Sequence, residues 1–452
     1  MSSTIKRNKY EIDMCNGTIM DKLISFSLPL MLSGILQLMF NAVDIIVIGR
    51  FSGSQSLAAV GSTTALINMF TNLFIGISLG ANVLSARFYA AGKDKEMSET
   101  VHTAITLALI SGIIMVFVGL IFAKPVLELM DTPDDVINLS TLYMRIYFMG
   151  MPFFMLYNYG ASILRAVGDT KRPLFYLIVA GIANAGLNMC LVIIFHLGVA
   201  GVAIGTVISQ LISSILVLRC LYQSETSYQL RFSKLKIQKE YLKQIFQVGI
   251  PAGIQSTVIN FSNVLLQSSV NSFGSIAMAG YTAANNIFGF LYVTVNAVTQ
   301  ACMSFTSQNY GVGKWKRMDR VLIDCLILSF VAMMILGNSA YFFGPKLLTI
   351  YTSNSKVIQC GMEILLYTTV TYFLCGFMDL FPGALRGMGR SGVPMILSII
   401  GTVGTRIVWI FWIFPNHRSL DILFISYPAS WIITIVLQVI CYYFVRNNYM
   451  QK

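Results

Sequence analysis

Charge is what this 452-residue chain has least of. Asp, Glu, Lys and Arg make up 11% of it, hydrophobic residues 56%, and the mean hydropathy is +0.71. Soluble domains carry roughly a quarter charged residues, so a soluble globular protein is excluded and a polytopic membrane protein is left. Histidine is scarce as well: His102, His196 and His417 stand alone, read as interfacial, and offer no cluster for a pH switch. The cysteines at 15, 190, 220, 302, 325, 360, 375 and 441 lack metal-type spacing and fall mostly inside apolar stretches. They read as small core residues, neither a disulfide frame nor a zinc site. A net charge of +12 comes without a basic domain or nucleic-acid motif, and its Lys and Arg lie in short clusters between apolar runs, so no nucleic-acid partner is expected. No cleavable signal peptide is expected either, because the start, with Lys6, Arg7 and Lys9, is polar and the first apolar run is too long. With no paired metal ligands, no nucleophile beside a base and no phosphate-cradling loop, neither an enzyme nor a cofactor is expected.

What is present is a succession of apolar runs. A spanning helix needs about 20 residues, and twelve candidates begin near Leu23, Leu57, Thr100, Leu139, Pro173, Val199, Ile245, Ala279, Val321, Gly361, Val393 and Asp421. Most of the 31 Lys and Arg fall in the loops on the side of the amino terminus, whereas the second loop of the other side is acidic (Glu128, Asp131, Asp134, Asp135). The positive-inside rule then puts both termini in the cytoplasm and the protein in the inner membrane. One long polar connection, Ser224 to Gln247, alternates Lys234, Lys236, Lys239 and Lys243 with Leu235, Ile237, Tyr241, Leu242 and Ile245. It reads as a basic amphipathic linker on the inner membrane surface.

The connection separates two copies of one unit. Tyr89, Gly92, Lys93 and Met97 recur as Tyr310, Gly313, Lys314 and Met318, and Leu164, Arg165, Gly168 and Pro173 as Leu385, Arg386, Gly389 and Pro394, a constant shift of 221 (310 against 89). Pro29 of the first span finds Pro251 within a residue of that register. The expected fold is therefore all-α, twelve transmembrane helices in two pseudo-symmetric six-helix bundles: an amino-terminal lobe 1–222, a linker 223–244 and a carboxyl-terminal lobe 245–452. Even-numbered copies enter and leave on one side, which places the relating axis along the membrane normal and a substrate site between the halves near mid-depth. Prolines in corresponding helices permit bending.

The first span carries the chemistry. Ser33, Gln37, Asn41 and Asp44 are spaced by four, four and three residues, which stacks them on one helix face. A carboxyl group in an oily helix is costly unless it meets water, a partner or a proton, so Asp44 is a functional-site candidate, packing being the plainer alternative. Gln37 and Asn41 on the same stripe, Asn260 and Asn263 on the seventh span, and Asp379 on the tenth are candidates to line a substrate cavity. Arg406 is expected to pair with an acid, Arg145 to snorkel, and Arg165 and Arg386 to fix loops at the inner face. Glu363 is a weaker candidate than Asp379.

These features together resemble one family, the multidrug and toxic compound extrusion (MATE) transporters. The resemblance is carried by Val43-Asp44 with Gly49, by the turn from Leu164 to Thr170 and its echo Leu385 to Gly389, and by Gly198 to Thr206 opening the sixth span. It implies an antiporter that expels organic, often cationic or amphipathic, compounds in exchange for protons or sodium ions. One branch of the family holds its coupling cation at positions that match Asp44, Tyr143, Asn158, Asn184, Asn188 and Thr206 here. Asn188 departs from that pattern, which has a second acid there. A sodium ion at Asp44 is the one metal the resemblance implies. The implied partners are a small-molecule substrate and membrane lipid, with the protein a monomer. A lipid-linked flippase of the same broad superfamily is the alternative; it would favour a larger basic cavity, and intramembrane arginines are few.

Overall fold

The computed structural model describes residues 8–130 and 132–450, with the side chains of 65, 449 and 450 set aside. Lys6, Arg7 and Asp131, which entered the charge argument above, lie outside the described residues. Everything described is helix or connection, with no strand. In chain order the first six runs are α1 (Met20–Phe51), α2 (Gly53–Ala90), α3 (Asp94–Leu129), the pair α4 (Asp134–Met149) and α5 (Met151–Ala166), α6 (Lys171–Met189) continued by a π turn (Cys190–Ile194), and α7 (Gly198–Tyr222). The next six are α8 (Lys239–Asn271), α9 (Ser275–Gly311), α10 (Trp315–Phe342) with the short α11 (Gly344–Leu348), the pair α12 (Ser355–Thr369) and α13 (Tyr372–Gly387), the broken run α14 (Gly392–Ser398) to α15 (Thr405–Val408), and α16 (Leu420–Met450).

Nine of these helices are long and apolar enough to cross a membrane, and the α12–α13 pair, bent by 45°, makes a tenth. The two runs that fall short have identifiable reasons. Asp134 and Asp135 open α4, and the run is interrupted at Gly150; α8 carries Asn260, Asn263, Gln267 and Asn271. Lipid-facing and core-facing sides separate cleanly. On α3, Ile110, Ile113, Ile114, Phe117, Leu120 and Ile121 are exposed at helical spacing, while Ala104, Ala108, Ser111 and Met115 are buried. Apolar side chains outward and small or polar ones inward is the arrangement a hydrocarbon solvent favours.

The repeat is visible in the backbone. Positive-φ glycines occur at Gly53, Gly92 and Gly168 and again, 221 residues on, at Gly274, Gly313 and Gly389 (274 against 53). The interruption at Gly150 returns at Thr371, between α12 and α13. Pairings repeat too: α5 packs on α2 and α3 as α13 packs on α9 and α10.

By contacts the chain forms two compact units. The first takes the described residues up to Ile12 together with Leu32 to Ile250; the second takes Asp13 to Met31 and Pro251 onward. Each leading helix thus changes unit beside its proline, α1 just after Pro29 and α8 at Pro251. Proline removes one helix hydrogen bond, which makes these the points where each helix yields most readily. The units therefore differ from lobes cut at 222 and 245, and residues 223–244 pack with the first unit.

That connection keeps its amphipathic alternation, with Lys234, Lys236, Lys239 and Lys243 exposed and Tyr241 and Ile245 buried, and it is tied to α3 as well. Tyr228 and Leu230 are fully buried. The amide of Arg231 donates to Nε2 of His102 at 3.0 Å, the Gln238 amide donates to Thr103 Oγ1 at 3.2 Å, and helix resumes only at Lys239. Backbone donors left free by an extended stretch found acceptors on α3. His102 is accordingly buried against the connection, with Nδ1 2.6 Å from the Ser98 carbonyl.

Candidate functional site

In the first unit α1, α6 and α7 bring polar side chains together around Asp44. The Asp44 carboxyl group is 8% exposed and Asn188 is fully buried. Asn188 Nδ2 donates to Asp44 Oδ1 at 2.5 Å and to Asn184 Oδ1 at 3.3 Å, and Asn184 Nδ2 donates to Thr206 Oγ1 at 3.4 Å. Thr206 lies against Asp44 as well. Donation to a carboxylate fixes which way the Asn188 amide faces. Its oxygen is then left buried without a hydrogen-bond partner. The local sequence explains the closeness: Asn184 and Asn188 share one face of α6 at a spacing of four, and Gly205 opposite them has no side chain. A Cβ at 205 would land on Asn188 Oδ1.

Tyr143 on α4 is buried and lies within electrostatic reach of Asp44. Asn158 is not brought to this group by any bond: its amide donates to the Phe154 carbonyl of its own helix at 2.8 Å. Two residues escaped the sequence reading. Tyr147 stacks beside Tyr143 with ring centroids 6.0 Å apart, and Gln210 of α7 lies against Tyr147. Each stands four residues beyond a residue already singled out, Tyr143 and Thr206, and that spacing was the available signal. The stripe on α1 divides in two: Gln37 and Asn41 are exposed, whereas Asp44 is buried. Chemically the cluster offers one carboxylate and several neutral oxygens. An Asn at 188 donates to Asp44, which an ionised acid there could not do.

The second unit holds two further polar groups. Asp379 on α13 faces Tyr292 of α9 and Arg386. Arg386 Nη2 donates to Gln255 Oε1 of α8 at 2.7 Å, so this side chain ties α13 to α8, which differs from the loop-fixing role expected of it; the guanidinium reaches a helix partner before it reaches a loop carbonyl. Arg165, by contrast, donates to Ala161 O and Ser162 Oγ of its own helix. Asn260 is exposed and Asn263 half-buried. Asn263 and Ser262 accept from Nη1 of Arg406, at 2.7 and 2.8 Å. No acid pairs with Arg406 among the described residues, contrary to expectation, because hydroxyl and amide oxygens of α8 occupy the near side of the guanidinium. Arg145 is exposed. No group of three or more His, Cys, Asp or Glu suited to a metal occurs among the described residues.

A duplicated all-helical bundle with apolar outer faces and a buried carboxylate in its first unit defines a polytopic membrane protein of transporter type. The MatE family model matches residues 29–190 and, a second time, residues 251–412. The chain belongs to that family, the MATE transporters. It is 30% identical over 423 residues to the probable multidrug resistance protein YoeA of Bacillus subtilis, covering 91% of each chain. To the multidrug export protein MepA of Staphylococcus aureus it is 23% identical, covering 84% of each. Among solved structures, an outward-facing multidrug resistance MATE transporter of the MOP superfamily aligns at a TM-score of 0.89 and 20% identity, over 99% of both chains. A variant of the Vibrio cholerae MATE transporter VcmN aligns at 0.88 and 19% identity, over 95% of this chain and 97% of the other. The internal repeat, at 221, and the family matches agree in offset to within one residue, since the second match starts 222 residues after the first (251 against 29).

Proposed function

We propose that this chain is a cation-coupled antiporter that exports organic, cationic or amphipathic compounds by alternating access. One observation carries the reading: Asp44, set in an apolar helix and almost fully buried, meets uncharged Asn188 and Thr206, with Asn184 and Tyr143 beyond them, and has no ion pair among the described residues. An ionised carboxylate held away from water with no cationic partner is costly. It is stabilised by binding a proton or a sodium ion, and that stabilisation differs between a closed and a water-open arrangement. A group whose occupancy depends on conformation biases a conformational equilibrium, and a cargo that binds the two states differently biases the same equilibrium. Names borne by the relatives, multidrug resistance and multidrug export, support organic compounds as cargo. The coupling ion is cargo too, and no resident cofactor enters this mechanism.

The orphaned Asn188 Oδ1 supports a cation at this place, since a buried acceptor beside a carboxylate is what a proton-bearing group or a bare cation satisfies. Lys and Arg concentrated in the loops on the amino-terminal side support both ends in the cytoplasm and a place in the plasma membrane. Dye efflux from vesicles reconstituted with the full chain tests the proposal, under an imposed proton gradient and then under a sodium gradient. Asp44→Asn is expected to reduce gradient-driven efflux to the level of empty vesicles while the protein still elutes as a single folded species. Undiminished driven efflux in that variant overturns the coupling role.

A further inference from the structure

Arg406 lies in the most irregular part of the second unit. The single α turn Thr405–Val408 that bears it is flanked by two π segments, Ile399–Gly404 and Trp409–Ile413. Such wide turns cost hydrogen-bond geometry and recur at functional sites. The side chain is 3% exposed, and its surroundings are neutral on every side. Nη1 is satisfied by Ser262 and Asn263, the guanidinium carbon stands 4.7 Å from the ring centroid of Tyr427, and Nε has no partner at all. Tyr427 is held in place by a 2.8 Å hydroxyl contact to Tyr281 and by packing on Trp431, ring centroids 5.8 Å apart.

A guanidinium cannot shed its proton as a carboxyl group takes one up. Buried without a counter-charge it is destabilising. Cation–π attraction from Tyr427 returns only part of that, and two neutral acceptors on one nitrogen leave the Nε side unspent. An anion brought to that side completes the group, and a planar carboxylate is the anion whose two oxygens match a guanidinium fork. The half-buried ring of Tyr427 beside the guanidinium, backed by buried Trp431, suits a ligand whose acid is attached to a ring.

We infer that Arg406 is the anchor of an anion-binding subsite in the second unit, taking the carboxylate of an aromatic, amphipathic acid or zwitterion. The two units then present opposite charge: a carboxylate at Asp44 in the first and a guanidinium at Arg406 in the second. Asn263, half-buried beside Arg406, belongs to the same subsite and orients the Nη1 end. For its cargo this inference rests on the export reading; for its binding chemistry it does not.

The test is binding without flux, so silent vesicles in the efflux assay leave it readable. Equilibrium dialysis of the purified full chain in detergent micelles compares 1-naphthoate with 1-naphthylmethanol, which has the same ring and no charge. Wild type is expected to hold naphthoate roughly ten- to hundredfold more tightly, the range of a hydrogen-bonded charge pair. Arg406→Gln is expected to abolish that preference and Arg406→Lys to keep part of it, because the charge survives without the fork. Tyr427→Leu, which leaves the guanidinium in place, is expected to weaken naphthoate and to leave acetate unchanged. Equal binding of the two naphthyl probes by wild type overturns the inference even if Arg406→Gln does not fold. An unaltered preference in a folded Arg406→Gln overturns it as well. So does displacement of naphthoate by chloride with no advantage of naphthoate over acetate, since the site would then serve a small inorganic anion.

Discussion

Replacing Gly205 by alanine tests whether the polar cluster in the first unit is held as tightly as its distances imply. The added methyl group would sit on Asn188 Oδ1. The amide has little freedom to retreat, because its nitrogen is engaged at once by Asp44 at 2.5 Å and by Asn184 at 3.3 Å. Either the helices part or Asn188 turns and drops its bond to the carboxylate. Overpacking a close-fitted interior costs about 1–3 kcal/mol, and a hydrogen bond to an ionised group contributes roughly 1.5–3 kcal/mol. The cost of Gly205→Ala therefore falls at about 2.5–6 kcal/mol if both are lost.

A double-mutant cycle separates the two contributions. Asn188→Ala removes the amide and the bond together, and in Gly205→Ala/Asn188→Ala the new methyl group meets vacated space. The pair should then cost clearly less than the sum of the single changes, with a coupling of at least about 1 kcal/mol, larger than the ~0.5 kcal/mol scatter of independent sites. Unfolding of the four purified proteins in one detergent, monitored by tryptophan fluorescence against denaturant, measures it. Driven dye efflux should fall in both single variants although neither replaces Asp44. Additivity within that scatter, or a neutral Gly205→Ala, refutes the packing argument.

Other perturbations probe the frame around the cluster. Gly168 has a φ of +97°, and a Cβ there would strike the backbone of Ile12, whereas Gly53, at +83°, has open space around it. Alanine at 53 should cost only the left-handed backbone penalty of about 1–2 kcal/mol, and alanine at 168 clearly more, seen as a larger drop in thermal midpoint. Glu11 accepts from the hydroxyls of Tyr89 and Tyr228, both at 2.6 Å. Glu11→Gln turns one of those acceptors into a donor, costs roughly 1–3 kcal/mol, and should speed tryptic cleavage after Lys9 several-fold.

Much of the architecture could be read from the sequence because a membrane makes simple demands. Apolar runs had to be helices, and the register shared by Gly92 and Gly313, and by Gly168 and Gly389, fixed the repeat because those turns need residues at positive φ. The exchange of segments between units at Pro29 and Pro251 was not legible, since proline marks where a helix can yield and says nothing of what each half packs against. Around Asp44 the i, i+4 pair Asn184 and Asn188 was readable from spacing. The resemblance put Asn158 in the coupling group, but a resemblance supplies a position and not a rotamer, and the bond its amide makes is to its own helix. Arg406 looked like half of an ion pair for a similar reason: sequence shows charges and hides which neutral oxygens will surround them.

The single carboxylate in the first unit also sets a rule for energetics. If Asp44 alone exchanges a monovalent cation for cargo, a monocationic compound leaves as one positive charge enters, and the cycle moves no net charge. Membrane potential then does no work on such a cargo, while a gradient of one pH unit supplies about 1.4 kcal/mol, a tenfold accumulation. An uncharged cargo moves one charge per cycle, and 100 mV adds about 2.3 kcal/mol, roughly fiftyfold. Vesicles clamped with valinomycin and potassium gradients should therefore show steady-state transport of a monocationic dye that is flat against potential and transport of a neutral one that is steep. Potential-dependent transport of the monocation means a second cation per cycle. Asp379, facing Tyr292 and Arg386 in the other unit, is the carboxyl group to substitute first in that event, because restoring a flat response by Asp379→Asn would show that two acids share the work.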